Sequence, residues 1–154
     1  MVYAVVRVRG TVNIKPDIRK TMELLHLTHT NYCVLLEEND VYKGMLQMVK
    51  DYTTWGEINK ETLSKLLSMR GKRIGEKALT EEHLKNTTKY ESFDKLSDAL
   101  LSEKVTYKEI PEVKPFFRLQ PPKKGYRTVK RSFVKKGSLG YRKEQINSLI
   151  ERML

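Results

Sequence analysis

Residues 2–9 alternate, and most of the apolar positions are β-branched. Val2, Ala4, Val6 and Val8 fall on one side of an extended chain, and Tyr3, Val5, Arg7 and Arg9 on the other. A period of two predicts a strand whose first set faces a core. The second set mixes apolar residues with two arginines. That mixture predicts a sheet covered by helices on one face, the other open to water or a partner. Pro16 suits the first turn of a helix, and Ile18, Met22 and Leu25 follow at helical spacing. Residues 33–36 form a short apolar strand, and 37–40 a polar turn. Tyr42, Met45, Leu46 and Val49 then recur at i, i+3, i+4 and i+7, a second amphipathic helix. Residues 53–58, with two threonines, Trp55 and Ile58, predict a third strand. The order β-α-β-α-β over residues 1–58 predicts an α+β fold with a two-layer, ferredoxin-like sandwich as its core.

Residues 59–110 read as a helical extension. Asn59 can cap a helix that buries Leu63, Leu66 and Leu67 and stops at Gly71, with Ile58 and Leu63 placed as a hydrophobic staple. Thr80 and Ser92 are candidate caps for two short helices, the second carrying Phe93, Leu96, Ala99 and Leu100. Residues 105–110 read as a further strand. Residues 111–154 begin with Pro111, Pro115, Pro121 and Pro122, which break the chain into extended pieces around 116–119. They end in a helix whose stripe of Ile146, Leu149, Ile150, Met153 and Leu154 needs a surface to cover it. Three segments are thus expected, the last packed back on the first.

Charge sharpens the reading of that last segment. The chain has 154 residues and a net charge of +11, yet residues 111–154 hold 12 of its 30 cations and only 3 of its 19 acids. Between 121 and 143 stand Lys123, Lys124, Arg127, Lys130, Arg131, Lys135, Lys136, Arg142 and Lys143, with no acid among them. Tyr126, Phe133 and Tyr141 are interspersed, with three glycines. Such a run suits a polyanion: cations displace counterions from phosphates, and planar side chains stack on bases. The plainer alternative is a solvated basic loop. Because the terminal helix anchors it, the run is a loop held at both ends, and it is expected to order fully only on its ligand.

Catalysis finds little support. No Walker-type or dinucleotide-type glycine loop is present, and residues 70–75 (RGKRIG) lack the Gly-Lys-Ser/Thr ending. His26, His29 and Cys33 have a ligand-like spacing but lack a fourth partner, so no metal site is assigned. Glu37, Glu38 and Asp40 cluster at a turn, without a nucleophile or base nearby in sequence. No cofactor is expected. A single cysteine allows no internal disulfide and fits a reducing compartment. No apolar run reaches the ~18 residues of a membrane span, and the start, broken by Arg7 and Arg9, does not read as a signal peptide.

The segments 5–11 (VVRVRGT), 42–50 (YKGMLQMVK) and 51–58 (DYTTWGEI), with the first helix between them, resemble the large-subunit ribosomal protein thirty family. The turn from Lys43-Gly44-Met45 through Val49 into Tyr52 is the most specific part. The Trp55-Gly56 ending, the segment 115–126 (PFFRLQPPKKGY) and residues 137–141 resemble its archaeal type, related to the eukaryotic cytosolic large-subunit protein seven. The resemblance implies a structural ribosomal protein of the cytoplasm, without catalysis or cofactor. Its implied partners are 23S-type ribosomal RNA in the neighbourhood of 5S RNA, together with adjoining ribosomal proteins, the chain being a monomer in the particle. By the same resemblance Arg7, Arg9, Lys15, Arg19, Lys20, Lys43 and Gly44 would face RNA. The basic run would add Lys123, Lys124, Tyr126, Arg127, Lys130, Arg131, Lys135, Lys136, Tyr141, Arg142 and Lys143. A module docking an acidic protein is the alternative.

Overall fold

The computed structural model describes residues 1–154. β1 (Val2–Arg7), α1 (Pro16–Leu24), β2 (Tyr32–Glu37), α2 (Asp40–Val49) and β3 (Thr53–Glu57) form the expected β-α-β-α-β sandwich. β1 lies between β2 and β3 and is antiparallel to both. Three more strands complete a six-stranded sheet: β4 (Phe116–Arg118) beside β2, β6 (Gly137–Tyr141) beside β3, and β5 (Thr128–Ser132) outermost. β4 pairs antiparallel with β2 through Tyr32↔Arg118 and Val34↔Phe116. β6 runs parallel to β3, and β5 pairs parallel with β6 through a short, irregular ladder.

The sheet is covered on both faces, which corrects the expectation of one open face. Tyr3, Val5, Val34 and Leu36 pack against Met22 and Leu25 of the α1 region and Leu46 and Val49 of α2. Val2, Ala4, Val6, Cys33 and Leu35 pack on the other side. There they meet Leu63, Leu66 and Leu67 of α3 (Lys60–Arg70), Leu96 and Leu100 of α5 (Phe93–Leu101), and Ile146, Leu149 and Ile150 of α6 (Gln145–Glu151). The two-layer core is therefore extended by a third layer, drawn from everything after residue 58. Each buried leucine or isoleucine contributes about 1.5–3 kcal/mol, so that layer is a large part of what holds β1.

The caps fall where the sequence put them. Asn59, Thr80 and Ser92 accept from the backbone N–H groups of Thr62, His83 and Lys95, opening α3, α4 (Glu81–Thr87) and α5. Asn39 likewise caps α2 through Val41 N–H. The strand expected at 105–110 is instead a 3₁₀ turn, Tyr107–Glu109. The cause is a Thr106-x-x-Glu109 capping sequence: Glu109 Oε2 accepts from the Thr106 N–H at 3.3 Å, and the Glu109 N–H donates to the Thr106 carbonyl at 2.9 Å, which curls the segment. Glu76 receives Lys72, Lys114 and Arg118, tying the 72–78 loop to β4.

Candidate nucleic-acid interface

Strand register separates the expected site residues into two ends of the sheet. One end holds the C-terminus of β1 and the starts of β2, β3 and β6, through the pairs Val6↔Cys33, Arg7↔Thr53 and Thr54↔Gly140. Arg9 lies here, with its guanidinium 5.2 Å from the Tyr52 ring and Nη1 donating to Asp51 O at 3.2 Å. Lys15 precedes α1 as the chain leaves β1, and Arg19 lines one small cavity with Arg7. Lys15, Arg19 and Lys20 are all exposed and without ion pairs. The basic run begins at this end too: Tyr126 Oη donates to Asn31 Oδ1 at 2.7 Å, and Thr128 pairs with Gly137. The opposite end, marked by Val2↔Glu37 and Tyr3↔Glu57, carries Lys43 and Gly44, and Tyr141 and Lys143 lean toward it against Glu57 and Gly56.

Several of these residues serve the fold rather than its surface. Arg7 is 1% exposed. Its Nη1 donates to Leu27 O and Thr28 O, both at 2.7 Å, and its Nε to Arg9 O at 2.9 Å. It closes the turn after α1, and burial, with Arg19 nearby, lowers its pKa. The structure thus builds Arg7 into the frame, with Nε and Nη1 spent on carbonyls. Arg142 is likewise largely buried in the frame, at 7% exposed. Its Nε donates to Thr54 Oγ1 and its Nη2 to Ser138 O, both at 2.7 Å, while its guanidinium lies 4.9 Å from the Phe133 ring. Tyr126 is half-buried and pinned by Asn31, which fixes the entry to the run. Tyr141 is partly exposed, with Oη donating to Glu57 Oε1 at 2.5 Å and its ring edge-on to Tyr3.

The rest of the run is displayed. It is not a bare loop: residues 128–141 form β5, a 3₁₀ turn (Phe133–Lys135) and β6. All five side chains of β5 are exposed, Lys130 and Arg131 among them. Lys135 and Lys136 follow on the turn, also exposed. Lys124, Lys136 and Lys143 have positive φ of 66°, 60° and 52°. The left-handed conformation costs a non-glycine residue on the order of 1 kcal/mol, so the backbone at these three positions is strained. Gly137 lets β6 approach closely: a Cβ there would lie 2.0 Å from Arg131 O.

Every ion pair of the fold lies outside the run. Carboxylates take up Lys43, Lys60, Lys65, Lys72, Lys95, Lys114 and Arg118. None of the nine cations between 121 and 143 has such a partner. Lys43 differs from them in this, since Glu38 holds it at 2.8 Å and raises its pKa by hydrogen bonding. One residue escaped the sequence reading. Arg152 lines a cleft with Arg127 and Arg142, yet lies beyond the acid-free window and directly after Glu151. The polar spacing of Gln145 and Ser148 in α6 with Arg152 at its C-cap was the available signal, hidden beside the stronger apolar stripe.

Cys33 is fully buried, and burial pushes its thiol up to about 12, whereas His26 and His29 are exposed. No cluster of metal-ligating side chains occurs in the fold, and no helix is long and apolar enough to cross a membrane. Fold and surface together define a basic α+β protein of three layers, with a long run of displayed, unneutralised cations on one sheet edge.

Residues 3–53, from β1 to the start of β3, match the family described as ribosomal protein L30p/L7e. Over the full length the chain is similar to large ribosomal subunit protein uL30 of Methanosphaera stadtmanae, 46% identical over 152 residues and covering 99% of both chains. It is 44% identical to that of Methanocorpusculum labreanum (98% of this chain, 99% of the relative), and 50% identical to that of Thermoplasma volcanium (98% and 92%). The chain belongs to the uL30 family of large-subunit ribosomal proteins, in its archaeal form. The similarity includes the helical layer and the basic run, which the matched 3–53 segment lacks.

Proposed function

We propose that the chain is a cytoplasmic structural constituent of the large ribosomal subunit that binds 23S-type ribosomal RNA, in the neighbourhood of 5S RNA, and performs no catalysis. The absence of a carboxylate partner for any cation of the 121–143 run carries this reading. Exposed pairs contribute little to stability, but displayed cations contribute strongly to phosphate binding through counterion release. Lys123, Lys124, Arg127, Lys130, Arg131, Lys135, Lys136 and Lys143 form the main phosphate contact. Arg9, Lys15, Arg19 and Lys20 extend it around one end of the sheet, while Lys43 and Gly44 touch RNA at the other. Arg7 and Tyr126 hold the frame that presents them, and Arg142 anchors β6 through Nε and Nη2 while keeping Nη1 free. Contacts of this composition, with no amide side chain between 121 and 143, position the RNA by charge and shape rather than read its bases.

Ultraviolet crosslinking in assembled large subunits, followed by mass spectrometry, tests the proposal. Nucleotide adducts are expected on peptides from 123–143 and from the Arg9–Lys20 region. Adducts confined to other segments, or crosslinks from the run to an acidic protein alone, would refute it.

A further inference from the structure

The run and α6 enclose a cleft of about 280 Å³ whose lining includes Arg127, Arg142, Arg152, Gln145 and Ser148 and no Asp or Glu. Arg142 is fixed in it by Thr54, Ser138 and the Phe133 ring, which leaves Nη1 uncommitted. Arg152 is steadied by Lys123 O at 3.3 Å. Arg127 makes no hydrogen bond or ion pair, and the side chains of Gln145 and Ser148 make none either. Three like charges bordering one recess repel each other. Burial, together with Arg152 and Arg127, lowers the pKa of Arg142 to about 10, with Tyr126 opposing. An anion placed among them removes that repulsion, and the planar fork of a guanidinium matches the oxygens of a phosphate.

We infer that this cleft is a subsite for one phosphate group, held by Arg127, Arg142 and Arg152 with Gln145 and Ser148 as neutral donors. The source of the phosphate, and only the source, rests on the proposed function: an RNA backbone phosphate if the chain binds RNA there, a free phosphate ion otherwise.

The test is a titration of the full, isotope-labelled chain with inorganic phosphate, following the arginine Nε–H signals by NMR. Saturable shifts are expected at Arg127, Arg142 and Arg152. The Arg142 shift should vanish in the Arg127→Gln/Arg152→Gln variant, and all three should persist in Lys130→Gln/Lys135→Gln, which loses the same charge. Neither variant touches the Arg142 hydrogen bonds that hold β6, so both should fold. Shifts spread evenly over the exposed cations, or equal behaviour of the two variants, would overturn the subsite. A second arm adds a large-subunit ribosomal RNA transcript. Reversal of the phosphate shifts, with about tenfold weaker RNA binding by the arginine variant than by the lysine variant, assigns the cleft to the RNA backbone. Phosphate retained beside bound RNA assigns it to free phosphate. Arginine-specific phosphate shifts without any RNA binding would support the subsite while refuting the proposed function.

Discussion

Gly44 sits inside α2 with open space around it, since a Cβ there would meet nothing within 4 Å. Glycine in a helix interior costs about 1 kcal/mol against alanine, and nothing in the free chain repays that. Close approach of a ligand backbone would. Gly44→Ala is therefore expected to stabilise the free chain by roughly 0.5–1 kcal/mol in thermal unfolding, and to weaken RNA binding. A stabilised variant with unchanged affinity would remove Gly44 from the interface. Gly56 presents the opposite case. A Cβ there would lie 1.9 Å from Lys143 O, so the glycine is required by packing alone. Arg7 shows why single residues were the hardest to read. Alternation placed it correctly on the face of Tyr3 and Val5. The carbonyls of Leu27 and Thr28 that consume it lie about twenty positions away, and only the folded chain brings them together.

Among the elements, helices were the most legible because their signals are local. Asn59 both caps α3 and donates its backbone N–H to Asn147 Oδ1 at 3.0 Å, joining α3 to α6. Asn59→Ala should cost about 1 kcal/mol and Asn59→Gly only a few tenths, as read by denaturant unfolding. Equal losses would mean that the cap is unimportant. The 105–110 segment was misread because apolar residues flanked a capping sequence whose partners, Thr106 and Glu109, sit only three apart. β5 and β6 were legible as a held basic loop but not as strands, since their pairing depends on β3 far away in sequence. The Glu76 staple is another long-range device. A hydrogen bond from Lys114, then one from Lys72 and the charge of Arg118, hold its carboxyl well down, at about 2 against an ordinary 4.5. A depressed carboxyl stabilises the fold above its unfolded pKa and loses that contribution as pH falls through the folded one. Acid titration from about pH 4.5 to 2 should loosen the 72–78 loop from β4, and Glu76→Gln should abolish that part of the pH dependence. Identical acid profiles for the two chains, followed by amide exchange in the loop, would contradict the staple.

Taken whole, the molecule shares the larger of its two apolar clusters among all the segments the sequence distinguished: β1 and β2 from the first, α3 and α5 from the second, β4 and α6 from the third. The open sheet face read from Arg7 and Arg9 does not exist, because periodicity along one strand cannot show which later helices return to cover it. The charge segregation, by contrast, was fully legible, since like charges without acids nearby in sequence had few carboxylates to meet in space. The proposed role of the run rests on that segregation: its exposed cations, free of carboxylates, would carry the RNA contact. The salt dependence of RNA binding measures it most directly. For the wild-type chain, log affinity should fall linearly with log salt concentration. A variant with Lys130, Arg131, Lys135 and Lys136 all changed to Gln should lower that slope by about 0.7–0.9 per lost phosphate contact, roughly 3 in all, while its unfolding midpoint stays unchanged. An unchanged slope in a folded variant would contradict the account.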